Sequence, residues 1–457
     1  MNPPAPFFAE VLHQLYLASL GLPHPLTHST FVDLGLGLLC GQNPKTITSA
    51  LEWLELDQQD WSAEYRLFSQ AQWQVEDLFT SVFAQALACP SLAGTTRVYT
   101  GTDDTLLRKT GKKTPGTTYA RDPLSPPFQV NLVLGQRFVQ TSLLLQPAGA
   151  GHPWRALPIS FSHAPTPKIP KRGSEEQLTA VKEFRKKHRL SVVALEQLSV
   201  CRRQLDLQPG GTDKWLIDAV DGSYANRTFF GGLPEHTHAL ARVRKDAKFR
   251  AYLPRDQRQG ARKYGPNLPT PLEQLADPNL PWQGCSLFIA GQFRTLQYKE
   301  VSGLCWPKVS AVRPLRLILI KAAGYRLCKG GKLLYREPAF LITTDLTTPA
   351  AELIAAYLAR WEVEVNFRDE KTLLGVGQAQ VRNPRAVARA PAFLVACYAL
   401  LLWSNILVFA DHRTADFDKL PRWRNRRPAR PSTRDLLRLL QAQAQNYQPR
   451  RARLSLI

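Results

Sequence analysis

The feature that most constrains this chain is a change of hydrophobic period near Thr96. Before it, apolar residues recur at helical spacing; after it, short β-prone runs carry acidic residues at their ends. Arg97-Val-Tyr-Thr-Gly-Thr leads into Asp103, and Lys214-Trp-Leu-Ile-Asp-Ala-Val leads into Asp221. Between them Phe128 to Leu134 and, after Gly135, Arg137 to Leu145 read as two further strands, giving an antiparallel meander. A Pro-rich stretch, 153–172, follows. Ser174-Glu-Glu-Gln177 then has capping-box spacing, and Leu178, Val181 and Phe184 supply an apolar helix face. Three strands, a helix and a strand, with acids at strand ends, imply an α/β fold built on a ribonuclease-H-like mixed sheet.

The flanking segments divide the chain into five expected parts. Residues 1–92 read as an N-terminal helical domain, in which Gly37 to Thr48 has the look of a turn entering a short helix. Residues 93–240 form the first part of the core. Residues 241–340 are a β-rich insertion whose first half is strongly basic, including Arg242, Arg244, Lys245, Lys248, Arg250, Arg255, Arg258, Arg262 and Lys263. Residues 341–410 return to the core, with a helix from about Pro349 that Thr347 or Thr348 can cap. Residues 411–457 are a basic C-terminal tail, with Arg422, Arg424, Arg426, Arg427 and Arg430 before a last helix near Ser432.

Charge narrows the partners. Fifty-nine Lys and Arg stand against 37 Asp and Glu, a formal net charge of +22. Self-repulsion of that size is relieved by a polyanion, and each cation placed on a nucleic-acid phosphate releases condensed counterions. The cysteines at 40, 89, 201, 285, 305, 328 and 397 include no CxxC pair, which suggests a reducing cytoplasm and neither a zinc ribbon nor a disulfide framework. His236 and His238 lack a second ligand pair. The N-terminal stretch has no basic region and is interrupted by Glu10, against a signal peptide. Ala392 to Ala410 approaches the length of a membrane span, but Ser404 and Asn405 inside it favour a buried core helix.

The strongest local pattern is Tyr357-Leu-Ala-Arg360-Trp-Glu-Val-Glu364-Val-Asn-Phe-Arg-Asp-Glu-Lys371. At about 100° per residue, Tyr357, Arg360, Glu364 and Lys371 share one helix face. That face gathers a carboxylate, two cations and a phenol, and Trp361, Val365 and Phe367 leave little room for a broad solvated surface. A solvent-facing row of ion pairs is the plainer alternative.

This stretch resembles the Y-(2)-R-(3)-E-(6)-K motif of bacterial insertion-sequence transposases of the DDE class, at all four positions. Thr102-Asp103-Asp104-Thr105, with Lys109 and Lys112 after it, resembles their first-acid region, Asp104 being the competitor to Asp103. Ala219-Val-Asp221-Gly-Ser-Tyr224 resembles the second, with Asp218 the mid-strand alternative that should face the other way. The resemblance, over residues 97–375, implies that Asp103, Asp221 and Glu364 bind two Mg²⁺ ions, for which Mn²⁺ can substitute, and cleave phosphodiesters. It implies that Tyr357, Arg360, Lys371, Lys109 and Lys112 handle DNA phosphates, which fix register without reading sequence. Terminal inverted repeats and target DNA become the partners, with a homodimer on DNA and no membrane, in the nucleoid of a bacterial cytoplasm. Recognition of the ends is expected from the N-terminal helices and the basic insertion, and Trp282 or Trp306 is a candidate for stacking on an unpaired base. A nuclease of the same fold and a silent DNA-binding derivative are the competing expectations.

Overall fold

The computed structural model describes residues 5–445 except 42–43, 123–124, 127, 168, 171, 259, 261–262, 290, 327–329 and 425–427, together with Tyr447 and Pro449. The expected basic residues Arg262, Arg426 and Arg427, and Cys328, lie outside the described residues.

The first segment is helical: α1 (Pro6–Ser19), α2 (Leu26–Cys40), α3 (Ile47–Trp53), α4 (Ser62–Ser69), α5 (Asp77–Ala88) and α6 (Pro90–Ala93). Next come β1 (Arg97–Arg108), β2 (Thr118–Arg121), β3 (Leu132–Leu145), β4 (Arg155–His163), α7 (Glu175–Lys187), α8 (Leu190–Asp206), β5 (Trp215–Val220), α9 (Arg227–Gly231) and β6 (Thr237–Arg242). The insertion contributes β7 (Arg250–Ala251), α10 (Pro271–Ala276), β8 (Gln283–Ile289), β9 (Gln292–Trp306), β10 (Ser310–Ile320) and a hairpin of β11 (Gly324–Tyr325) with β12 (Leu334–Tyr335). It is followed by β13 (Ala339–Thr343), α11 (Ala350–Ala359), α12 (Trp361–Thr372), α13 (Pro384–Phe409) and α14 (Thr433–Gln443).

One sheet runs β2-β3-β1-β5-β6-β13-β10-β9-β7, with β4 also on β3 and β8 on β9. β1, β5 and β6 are parallel, and β3 is antiparallel to β1. This mixed order is compatible with a ribonuclease-H-like fold. The insertion is not a separate layer: β13 pairs antiparallel with both β6 and β10, so β10 and β9 continue the core sheet edge to edge.

Four local expectations are corrected. Gly135 is not a turn. β3 runs straight through it, because a Cβ there would stand 2.7 Å from the Leu107 carbonyl oxygen, and glycine lets the strands close. A strand was also hidden in the Pro-rich stretch: β4 carries Pro158 at a register irregularity, where the missing ladder N–H is tolerated. The capped helix α7 forms with its Ser174–Gln177 box, yet no residue in it is buried and Phe184 stacks on His188. The helix that covers the sheet is α8, through Val193, Ala194, Leu198 and Leu205. At the start of α11 neither Thr347 nor Thr348 is the cap; Pro349 holds that position, and Asp345 accepts the Thr347 and Thr348 amides.

The long apolar stretch is α13, long and apolar enough to cross a membrane, but 78% of its most apolar window is buried inside the protein. It packs on α1, α2, α4, α5 and β4, joining the N-terminal helices and the sheet in one core. Phe393 meets Phe31 and Phe68 edge-on, with ring centroids 4.9 and 5.3 Å away. Its polar residues are answered internally: Ser404 donates to the Leu400 carbonyl and Asn405 to Asp411. Asp411 in turn holds the buried Arg155 of β4, which fixes where the chain leaves the core.

Candidate functional site

Strand alternation sets the site. On β1, Gly101 and Asp103 face α12; a Cβ on Gly101 would lie 3.2 Å from Val363 and 3.5 Å from the Arg360 side chain. Thr100, Thr102 and Asp104 face the other way, and the two threonine hydroxyls donate to Asp218 Oδ1 at 2.8 and 3.0 Å. Asp218 is fully buried and is pushed up to about 7, chiefly by that burial, with the threonine hydrogen bonds opposing it.

Asp103 Oδ2 accepts from Arg360 Nη1 at 2.6 Å, and Arg360 Nη2 donates to Glu364 Oε1 at 3.1 Å. One guanidinium therefore joins an acid of β1 to an acid of α12. Asp221 ends β5, where its neighbour Val220 pairs with Thr102, and its Oδ2 accepts the Ser223 amide at 3.4 Å. The carboxylates feel one another. Asp103 is pushed up to about 6, first by burial; Arg360 opposes this, and the charges of Asp104 and Asp221 add to it. Asp104 is also raised, again by burial first, while its 2.9 Å ion pair with Arg137 pulls the other way.

The remaining expected residues divide. Arg360 lies 5.7 Å over the Tyr357 ring, at the junction between α11 and α12, so the expected single helix is two helices meeting at Arg360. Lys371 sits in the field of Asp104 and Glu370, and burial lowers its ammonium. Lys109 is drawn inward: its Nζ donates to the Gly377 and Ala379 carbonyls, both at 2.7 Å, and burial lowers it to about 8. It clamps the loop after α12 to the end of β1. Lys112 is exposed.

The other acids of α12 have separate duties. Glu362 accepts from Arg430, Asp369 accepts from Thr433, and Glu370 is buried beside Gln140. Trp361 is exposed instead of closing the face. Trp306 packs edge-on against Phe249, and the Trp282 ring is flanked by Lys299 and Lys321 at 4.6 and 5.0 Å. Arg137 was invisible to sequence reasoning, because only the pairing of β3 with β1 brings it to Asp104.

The fold is compatible with the ribonuclease-H-like class of nucleic-acid-cleaving enzymes. A family comparison is more particular. The model of the DDE superfamily endonucleases matches residues 27–290, more than half the chain, and the protein belongs to that family. The match contains Asp103 and Asp221 and ends before Glu364. No curated protein matches the sequence.

The family uses divalent metals, and the acids suit one in kind: all are oxygen donors, and Asp103, Asp104 and Asp221 carry mutual repulsion that a dication relieves. Among the described residues no three His, Cys, Asp or Glu converge closely enough to hold a metal ion. Between Asp103 and Glu364 the countercharge is Arg360.

Proposed function

We propose that this DDE-family enzyme is a DNA transposase that cleaves the ends of a mobile element and joins them to target DNA. The observation that carries the reading is the Arg360 bridge, which ties Asp103 of β1 to Glu364 of α12, residues far apart in the chain. With Asp221 at the neighbouring strand end, these are the residues that would hold divalent metal. Bound there, Mg²⁺ or Mn²⁺ would lower the pKa of an attacking water or 3′-hydroxyl and stabilise the leaving oxygen.

The chain's own side chains supply the rest. Arg360 and Lys371 offer cations, and Tyr357 a phenol, to phosphate oxygens around the scissile bond. Lys112 meets the backbone further out. Lys109 acts by holding the 377–379 loop in place. In strand transfer, a 3′-oxygen attacks phosphorus as the bond to the leaving strand's oxygen breaks, which requires no protein nucleophile. Recognition of terminal inverted repeats falls to the N-terminal helices and the basic insertion, and two ends are cut together by a homodimer, in the bacterial nucleoid.

The test is Mg²⁺-dependent cleavage and joining of DNA carrying the element's own ends, comparing wild type with Glu364→Ala. The expected result is joining by wild type and a variant that binds DNA without cutting it. A variant that cuts as well as wild type removes Glu364 from the site. Cleavage without joining favours a nuclease of the same family.

A further inference from the structure

Behind the acids, on the α8 side of the sheet, lies a cavity of about 550 Å³ whose lining carries no carboxylate. Three arginines, Arg137, Arg185 and Arg189, and His188 are among the residues that line it. So does the start of α8, a 17-residue helix whose cap, Arg189, supplies no side-chain hydrogen bond to its first amides. Those amides and the helix dipole favour an anion. The Arg189 side chain is exposed and makes no hydrogen bond or ion pair among the described residues; Arg185 Nη2 donates to the Pro167 carbonyl oxygen at 3.4 Å, while its buried Nε has no partner among the described residues. Tyr224 also lines the cavity; it is 1% exposed, and its hydroxyl is buried without a partner.

Two contacts tie the cavity to the acids. Arg137 is held at its wall by Asp104, 2.9 Å away. Ser223, also in the lining, donates its amide to Asp221. Asp104 is thereby a positioning residue for a cavity cation, while Asp103 turns to α12. Ala164, Pro165 and Leu190 add apolar surface to the lining.

We infer that this cavity binds one unpaired nucleotide of a DNA strand, its phosphate on the three arginines and the α8 N-terminus, its sugar and base against the apolar part of the lining. The volume is that of a small-ligand site, and a duplex with a major groove about 12 Å wide does not enter it. The inference rests on the acids being the cleavage site, since it places a single-stranded stretch directly beside them.

The experiment measures binding of full-length protein to a labelled short single strand and to a blunt duplex of the same sequence, by fluorescence anisotropy without metal. Arg185→Ala/Arg189→Ala should weaken the single strand about tenfold and the duplex less than about threefold. Arg189→Glu, at an exposed unpaired position, should act in the same direction with an unchanged melting temperature. Deoxythymidine monophosphate should compete for the single strand where thymidine does not. Equal losses on both DNAs, no loss, or equal competition by thymidine overturns the inference. Mg²⁺-dependent cleavage is scored on the same samples. Unchanged single-strand binding with cleavage intact overturns the cavity alone. A wild type that binds single strands through these arginines yet never cleaves overturns the transposase reading alone.

Discussion

α12 and α13 are neighbours in the chain, yet different forces fix them in place. α13 is buried along most of its length, and its Ser404 hydroxyl and Asn405 side-chain nitrogen find partners in its own surroundings. α12 buries only Val363 and Phe367 of its apolar side chains in the core and adds polar contacts: Glu362 with Arg430, Asp369 with Thr433, Glu364 with Arg360. Apolar burial contributes about 1.5–3 kcal/mol for each large side chain. Buried ion pairs return little net stability, because desolvation offsets attraction, but they fix orientation. The comparison teaches a division of labour in which α13 supplies stability and α12 supplies aim. Through Arg360, Glu364 of α12 shares a hydrogen-bond partner with Asp103 of the sheet.

The largest effect that sharpens this contrast is expected at Phe393 of α13. Phe393→Ala should cost about 3–5 kcal/mol in urea denaturation, since its ring fills the space between Phe31 and Phe68. Cleavage per folded molecule should stay near the wild-type value. A loss below about 1 kcal/mol would break the comparison by showing that α13 is not the stabilising element.

A middle-sized effect is expected at Glu370, the buried acid of α12. Burial, its leading cause, pushes this carboxyl from 4.5 up to about 8; Gln140 and Lys371 oppose the shift and Asp369 adds to it. The unfolded chain therefore releases this proton at lower pH than the folded one. Stability from this group is greatest below about pH 4.5 and falls as pH rises towards about 8. Glu370→Gln should then be more stable than wild type by roughly 2 kcal/mol above that window, with the difference vanishing below it. Parallel stability–pH curves for the two proteins would refute this account.

The smallest effect is expected at exposed Lys112. Lys112→Ala should weaken duplex binding about threefold and reduce the salt slope by about one, without changing stability. An unchanged salt slope would remove Lys112 from the DNA interface.

Legibility followed the range of the interactions. The capping box at Ser174, the last helix starting near Ser432, the apolar helix ending near Phe409 and the strand running into Asp221 were all readable, because each depends on residues a few positions apart; that β1 continues past Asp103 to Arg108 was not. Lys109 was not. In sequence it is one of several lysines after an acid, and only the distant loop at Gly377 and Ala379 turns its ammonium inward. α7 misled for a related reason: its apolar spacing is real, but α8 occupies the face of the sheet it would have covered.

The amino-acid sequence by itself determined the types of the acids, the strand that leads into Asp221 and the helical spacing of Glu364 and Lys371; β1 runs on through Asp103 to Arg108, and Tyr357 lies on a separate helix, α11. These are set by the local periods of strand and helix. Tertiary structure alone decided that Asp103 meets Arg360 while Asp104 meets Arg137, and that β3 passes unbroken through Gly135. Those outcomes depend on strand register, which a one-residue slip would invert, and register is fixed by pairings between residues far apart in the chain.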